Sequence, residues 1–145
     1  MLTIGASSVA SQIADLINSG HQLLIKLSSH SVLGSQIKYI VELDEDKVIG
    51  VIGLEQQKIN VTELKHLCVH PDYRNKGIGK KLLECGIRSA TTRCVYGQVG
   101  ADNITNIKNN IKVGMRPIGK KMGHGRYIII FARDKNERLF RAKAA

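Results

Sequence analysis

The segment from residue 74 to residue 80 combines basic side chains with glycines, which is the chemistry of a phosphate-binding loop. Its residues are Arg74, Asn75, Lys76, Gly77, Ile78, Gly79 and Lys80. The apolar pattern predicts a strand over Val61 to Val69 before it and a helix over Lys80 to Ala90 after it. Unpaired N–H groups and the positive dipole end at a helix start attract anions, and glycines let a phosphate approach the backbone. The alternative is a tight turn whose glycines only start the helix.

Two well-known phosphate loops are excluded by their spacing. A Walker loop requires a glycine five residues before its Gly-Lys pair and a Ser or Thr after it, but Arg74 and Lys81 occupy those positions. A dinucleotide-binding fingerprint requires a third small residue where Leu82 stands, and no suitable strand-helix-strand unit precedes it. The loop therefore belongs to a different kind of phosphate site.

Histidine and cysteine alternate along the strand that precedes the loop. His66, Cys68 and His70 share one face if the strand is regular, and His-x-His on a strand can bind zinc. Packing within the core is the more common use of such residues in a central strand. We therefore predict no metal site.

These residues need a scaffold, which the apolar patterns outline along the chain. A first helix is predicted from Val9 to Ile17, with a cap at Ser7 and Ser8 and a stop at Ser19 and Gly20. Two further helices are predicted, one near Leu23 to Leu27 and one from Asn103 to Val113. Strands are predicted at Ile37 to Leu43, Val48 to Leu54, Val95 to Val99, Met115 to Gly119 and Arg126 to Ala132. Turns at 44–46 and 120–125 join neighbouring strands. Strands and helices thus mix in one sheet-based domain.

The composition fits one ordinary domain. The 145 residues are 43% hydrophobic, so the chain can bury a core without disulfides or metals. The longest apolar run, Tyr127 to Ala132, is far shorter than the roughly 20 residues that cross a bilayer, and the N-terminus lacks a signal-peptide pattern. The three cysteines form no CxxC pair and are odd in number, which favours a reducing, cytoplasmic location without membrane contact.

The net charge of +10 is concentrated in the second half of the chain. Residues 1–70 contain 5 Lys and Arg against 7 Asp and Glu, whereas residues 71–145 contain 17 against 5. A basic half predicts a polyanionic partner, either a nucleic acid or a phosphorylated cofactor. Aromatic residues form only 4% of the chain, which disfavours the stacking surfaces of single-strand nucleic-acid binders.

The stretch from Leu64 to Leu83 resembles the central motif of the GNAT acetyltransferases. That motif, R/Q-x-x-G-x-G/A, is matched by Arg74, Gly77 and Gly79. Two further matches are Asn103 at a predicted helix start and the segment 114–119, which is similar to the family's G-F-x-x-x-G. The resemblance spans roughly residues 36–131 and implies an α+β fold over residues 1–133, followed by a charged tail over 134–145. Its sheet would be mixed, mostly antiparallel, flanked by helices on both sides and splayed beside the strand 61–69.

The resemblance also implies a cofactor and a reaction. The cofactor would be acetyl-CoA, with its pyrophosphate at Arg74 to Lys80, its pantetheine arm along the backbone of Leu67, Cys68 and Val69, and Asn103 on the other side. The reaction would be direct transfer of the acetyl group to a primary amine, without a metal. A non-catalytic sensor that binds acyl-CoA is the alternative, and a homodimer is possible.

Glu63 matches the glutamate that serves as the base of histone-type GNAT enzymes. With strict alternation it shares a face with Lys65, Leu67 and Val69, where an acceptor amine would lie. A carboxylate there can accept the amine proton, although a solvated strand-end glutamate is the simpler interpretation. The family's usual acid, a tyrosine seven residues after the Asn103 position, is replaced by Asn110, so water or Tyr127 would have to protonate the thiolate.

Overall fold

The computed structural model describes residues 6–20, 27–123 and 125–137. Its helices are α1 (Ala6–Gly20), α2 (Ser29–Leu33), α3 (Ile78–Ser89) and α4 (Ile104–Lys112), with a short 3₁₀ helix at Pro71–Tyr73. Its strands are β1 (Lys38–Asp44), β2 (Lys47–Lys58), β3 (Val61–Val69), β4 (Cys94–Gly100), β5 (Arg116–Gly123) and β6 (Arg126–Asp134). Among the described residues, no helix has the length and apolarity needed to cross a bilayer.

The six strands form one sheet in the order β1-β2-β3-β4-β6-β5. Every neighbouring pair is antiparallel except β3 and β4, which are parallel. These two strands pair only from Val61 to Leu64 on β3 and from Cys94 to Gly97 on β4. Beyond these positions β3 and β4 separate and leave a gap, which we call the splay. The splay predicted beside β3 is therefore confirmed.

Apolar clusters on both faces of the sheet hold the helices in place. On one face, Ile13 and Ile17 of α1 pack with Val51 and Cys68. On the other face, α3 contributes a larger cluster that includes Ile52, Leu64, Leu82, Leu83 and Phe131. The i, i+3, i+4 spacing of apolar residues in α1 and α3 places one stripe of each helix against the sheet. The predicted α+β architecture with helices on both sides is therefore confirmed.

A β-bulge interrupts β3 next to the splay. Two residues of β3, His66 and Leu67, lie opposite the single residue Ile52 of β2, and His66 has a left-handed φ of 58°. Leu67 consequently packs with the α3 cluster, as Leu64 does, although the two are three residues apart. Strict alternation was therefore wrong here, because Glu63 and Leu67 face opposite sides of the sheet.

Most of the predicted elements are confirmed, with differences at their ends. β2 continues to Lys58, and β5 continues to Gly123, so residues 120–123 of the predicted loop belong to a strand. α2 was not predicted. The helix predicted near Leu23 to Leu27 falls mostly on residues 21–26, which lie outside the described residues, as do 138–145 of the charged tail.

Candidate functional site

The loop before α3 ends in an open helix terminus. Asn75 and Gly77 both have left-handed φ values, of 64° and 80°, which turn the chain sharply into α3. Gly77 is the N-cap residue of α3, and no side chain caps this end in the part of the chain that the structure describes. The first N–H groups of a helix have no acceptor within it. This terminus can therefore receive an anion.

Two contacts hold the loop and α3 in position. Arg74 donates from Nε to the carbonyl oxygen of Val69 at 3.2 Å, which ties the loop to the end of β3. A Cβ atom on Gly79 would lie 3.3 Å from Nδ2 of Asn109, so the glycine lets α4 approach the first turn of α3. The structure thus brings Leu67 to Val69 and Arg74 to Lys80 together at one end of the splay.

A cavity occupies the space where β3 and β4 separate. It is lined by residues of five elements: Ile52, Leu64, Lys65, His66, Leu67, Leu83, Gly97, Gln98, Val99, Asn106 and Asn110. Asn110 is only 2% exposed, and its Nδ2 donates to the carbonyl and side-chain oxygens of Asn106 at 2.8 and 3.0 Å. Asn110 therefore belongs to the cavity wall and not to the exposed surface of α4.

Asn103 lies at the start of α4, directly before Ile104. Its side-chain oxygen accepts a hydrogen bond from the backbone N–H of Asn106 at 3.2 Å, so it is the N-cap of the helix. This contact fixes the turn of α4 that carries Asn106 and Asn110. A cofactor contact of Asn103 stays a prediction.

The side chain of Cys68 points away from the cavity. Its Sγ donates to the carbonyl oxygen of Leu16 in α1 at 3.4 Å, and burial raises the pKa of this thiol. Only the backbone of Cys68 is therefore available to a ligand in the splay. His66 lies beside the ring of Tyr39, and His70 accepts from the N–H of Asp72 at 3.1 Å. Within residues 6–20, 27–123 and 125–137, no three His, Cys, Asp or Glu side chains form a metal-binding group.

The carboxylate of Glu63 is buried and receives hydrogen bonds from both neighbouring strands. Oε1 accepts from Gln57 Nε2 at 3.1 Å and from the hydroxyl of Tyr96 at 3.3 Å. Oε2 accepts from Gln98 Nε2 at 3.0 Å. Burial, followed by the charge of Glu63, raises the pKa of Tyr96, so the phenol stays protonated as a donor. A solvated Glu63, the simpler interpretation from the sequence, is therefore wrong.

Lys65 connects Glu63 with a second carboxylate. Its Nζ lies 3.0 Å from Oε1 of Glu55 and 3.7 Å from Oε1 of Glu63. The hydrogen bond from Lys65 lowers the pKa of Glu55. Sequence reasoning missed Glu55, Gln57, Tyr96 and Gln98, because their proximity to Glu63 depends on the register of three strands.

The comparison with known families identifies the fold. Residues 35–115 match the model of the acetyltransferase (GNAT) domain, which is more than half of the chain. The protein belongs to the GNAT acetyltransferase family. The match includes β3, the loop at Arg74 to Lys80, and α4, so the elements around the splay are those of the family.

Solved GNAT structures share the fold at low sequence identity. A putative acetyltransferase from Salmonella typhimurium, solved with its cofactor acetyl-CoA, has a TM-score of 0.77 at 15% identity, covering 95% of each chain. An aminoglycoside 6′-N-acetyltransferase complexed with coenzyme A has a TM-score of 0.68 at 18% identity, covering 90% of this chain and 92% of the other. The IAA acetyltransferase from Bacillus cereus has a TM-score of 0.62 at 21% identity, covering 73% and 81%.

In the GNAT family, the position of Asn110 is where many members carry the tyrosine that acts as the acid. This position lies on the cavity wall. Both hydrogens of its Nδ2 are used by Asn106. Tyr127 lies on β6 outside the cavity lining, with Nζ of Lys120 5.4 Å from its ring centre.

Proposed function

We propose that this GNAT protein transfers an acetyl group from acetyl-CoA to a primary amine by direct attack. The observation that carries the proposal is the cavity between β3 and β4, which reaches from Leu67 near the anion-binding loop to Gln98 beside Glu63. A cofactor that entered at the loop would place its thioester in this cavity. The buried carboxylate would then lie on the side from which the amine approaches.

The loop supplies the charges and donors that a pyrophosphate requires. Arg74, Lys76 and Lys80 are basic, and the uncapped start of α3 adds backbone N–H groups. CoA carries about four negative charges, which a basic surface attracts. Among the described residues, β3 and β4 pair only as far as Leu64 and Gly97, and the pantetheine arm is proposed to lie in the gap beyond these positions.

Glu63 is proposed as the proton acceptor. The amine nitrogen attacks the thioester carbonyl, its proton passes to the carboxylate directly or through water, and the C–S bond breaks to release the CoA thiolate. In the described part of the chain, Oε2 has a single donor, Gln98, so this oxygen keeps a site for the proton. Oε1 already has two donors and a nearby ammonium group.

Water is the proposed proton donor to the thiolate. Asn110 is a carboxamide and has no proton to transfer near neutral pH. Tyr127 does not line the cavity. The replacement of the usual tyrosine by Asn110 also supports a second candidate function, a module that binds acyl-CoA without turning it over.

The deciding experiment measures free thiol released from acetyl-CoA in the presence of peptide N-termini, lysine peptides, polyamines and aminoglycosides. Turnover with any of these amines supports the enzyme. Glu63→Gln keeps the size of the side chain but removes the proton acceptor, so kcat should fall by about 10² to 10⁴ at neutral pH and partly recover at higher pH. The affinity for acetyl-CoA should not change. Tight binding of acetyl-CoA without turnover of any amine would support the non-catalytic module instead.

A further inference from the structure

Lys65 places a primary amine beside the proposed reaction site. It is the first residue of β3 after the last position paired with β4, and it lines the cavity in the splay. Its side chain is 28% exposed, so it is neither locked in the core nor free in solvent. The proposed site thus contains a primary amine of the protein itself, the same functional group that an acceptor must have.

The surroundings of this amine are also those that an acceptor needs. The Nζ atom lies between two carboxylates, 3.0 Å from Glu55 and 3.7 Å from Glu63. Glu63 can take a proton from the ammonium group before attack, whereas the ion pair with Glu55 favours the charged form. The ion pair with Glu55 is partly exposed, and such pairs are weak enough for a lysine to leave by a rotation of its side chain.

We propose that Lys65 is a self-acetylation site, modified by acetyl-CoA bound in the splay of the same molecule. The inference rests on the proposed function, because it requires acetyl-CoA in the cavity. The neutral Nζ attacks the thioester carbonyl, a C–N bond forms, the C–S bond breaks, and the thiolate leaves as CoA. Glu63 takes the proton that converts the ammonium group into the neutral amine. The second proton, lost as the C–N bond forms, passes through water to the thiolate.

Acetylation at this position changes the charges around the proposed base. The acetylated Nζ is neutral, so Glu55 loses its ion pair and Oε1 of Glu63 loses its neighbouring positive charge. The acetamide also occupies the space into which an external amine would enter. Modification of Lys65 is thus a means by which the protein is inactivated when acetyl-CoA is abundant and acceptor is scarce.

The test uses the full chain incubated with acetyl-CoA and no acceptor, followed by intact-mass and peptide mass spectrometry. We expect one added acetyl group at Lys65, at a rate that saturates with acetyl-CoA and does not depend on protein concentration. The exposed lysines Lys47 and Lys58 report purely chemical acetylation in the same sample. Lys65 should react at least about tenfold faster, because bound reactants avoid the cost of a bimolecular encounter.

Two variants separate this mechanism from chemical acetylation. Glu55→Gln should speed the reaction of Lys65 by releasing its amine, whereas Glu63→Gln should slow it, and neither should affect Lys58. Calorimetry on the same wild-type sample establishes acetyl-CoA binding independently. If acetyl-CoA binds but Lys65 is acetylated no faster than Lys47 and Lys58, the self-acetylation proposal is overturned and the proposed function is not. No binding of acetyl-CoA overturns both this inference and the proposed function.

Discussion

The side-chain amide of Gln98 donates to Oε2 of Glu63 at 3.0 Å, next to the point where β3 and β4 stop pairing. Gln98 is the first residue of β4 beyond that pairing, and it also lines the cavity. The bond therefore orients Oε2, the oxygen of this carboxylate that can still accept a proton, toward the open part of the splay. Its neighbour Oε1 is held by Gln57 and Tyr96.

We expect Gln98→Met to lower kcat by about tenfold, since hydrogen bonds to charged groups contribute about 1.5–3 kcal/mol. The side chain keeps its length but loses its donor, so the carboxylate turns more freely. Gln57→Met is the matched control, because Oε1 retains Tyr96 and Lys65. Equal effects of the two variants would mean that Oε2 has no special role.

A pair of substitutions at Gly77 tests the anion site. Gly77→Asn and Gly77→Asp have nearly the same shape, both residues tolerate a left-handed φ, and a Cβ atom here meets nothing within 4 Å. Both can cap α3, so the fold should be retained. The carboxylate of Asp should weaken acetyl-CoA binding at least about tenfold relative to Asn by repelling the phosphates. Identical dissociation constants in calorimetry would place the pyrophosphate elsewhere.

The asparagine on the cavity wall offers a gain-of-function test. Asn110→Tyr should accelerate turnover if protonation of the thiolate limits the rate, because a phenol can transfer a proton and a carboxamide cannot. Asn110→Phe provides the same bulk without the hydroxyl. The prediction concerns the ratio of kcat between the Tyr and Phe variants, which cancels the cost of the larger ring in this buried position. A ratio near one would show that another step is limiting.

The C-terminal end of α1 is expected to be sensitive to a single methyl group. A Cβ atom on Gly20 would overlap with Sγ of Cys68. Gly20→Ala should therefore lower the free energy of unfolding by about 1–3 kcal/mol, the usual range for overpacking. Adding Cys68→Ala should restore part of that loss, because it removes the overlapping sulfur. Additive effects of the two substitutions in urea unfolding would contradict a direct clash.

Acid should weaken the attachment of β6 to the turn before β4. Arg93 donates to both carboxylate oxygens of Asp134, and these bonds hold the pKa of Asp134 below its ordinary value of 3.8. The pair stabilises the fold above that value, and its contribution disappears as the pH falls through the lower folded-state pKa. Asp134→Asn should therefore unfold more readily than the wild type in urea at pH 7. The difference should shrink below about pH 3; a constant difference would exclude this ionisation as its cause.

The loop and its flanking elements could be predicted because their signals are local. Glycines at 77 and 79, basic residues, and apolar spacing on either side describe the strand, turn and helix without reference to the rest of the chain. The hairpin of β1 and β2 and the helix α4 were predictable for the same reason. The positions of these elements around the splay followed from the family resemblance rather than from periodicity.

The surroundings of Glu63 could not be predicted because they depend on long-range register. Tyr96 and Glu63 are 33 residues apart in the chain and meet only through the parallel pairing of β3 and β4. The bulge was hidden as well, since its left-handed residue is His66 rather than a glycine. This extra residue reversed the predicted orientation of Leu67 and separated its face from that of Glu63.

The short parallel pairing between β3 and β4, here called the seam, affects how cooperatively the protein unfolds. In the part of the chain that the structure describes, the strand pairing between the trio β1, β2 and β3 and the trio β4, β6 and β5 consists of four residue pairs. The β1-β2, β2-β3 and β5-β6 pairs are hairpins, and β4 and β6 pair at seven positions. The seam closes a long loop with four pairs and therefore carries a larger entropic cost for each pair. We expect the amides of Val61 to Leu64 to exchange with solvent through a shared opening that leaves both trios intact. A ligand that bridges the two separated edges would hold them together, and would slow that exchange even at Val61 and Thr62, which do not line the cavity.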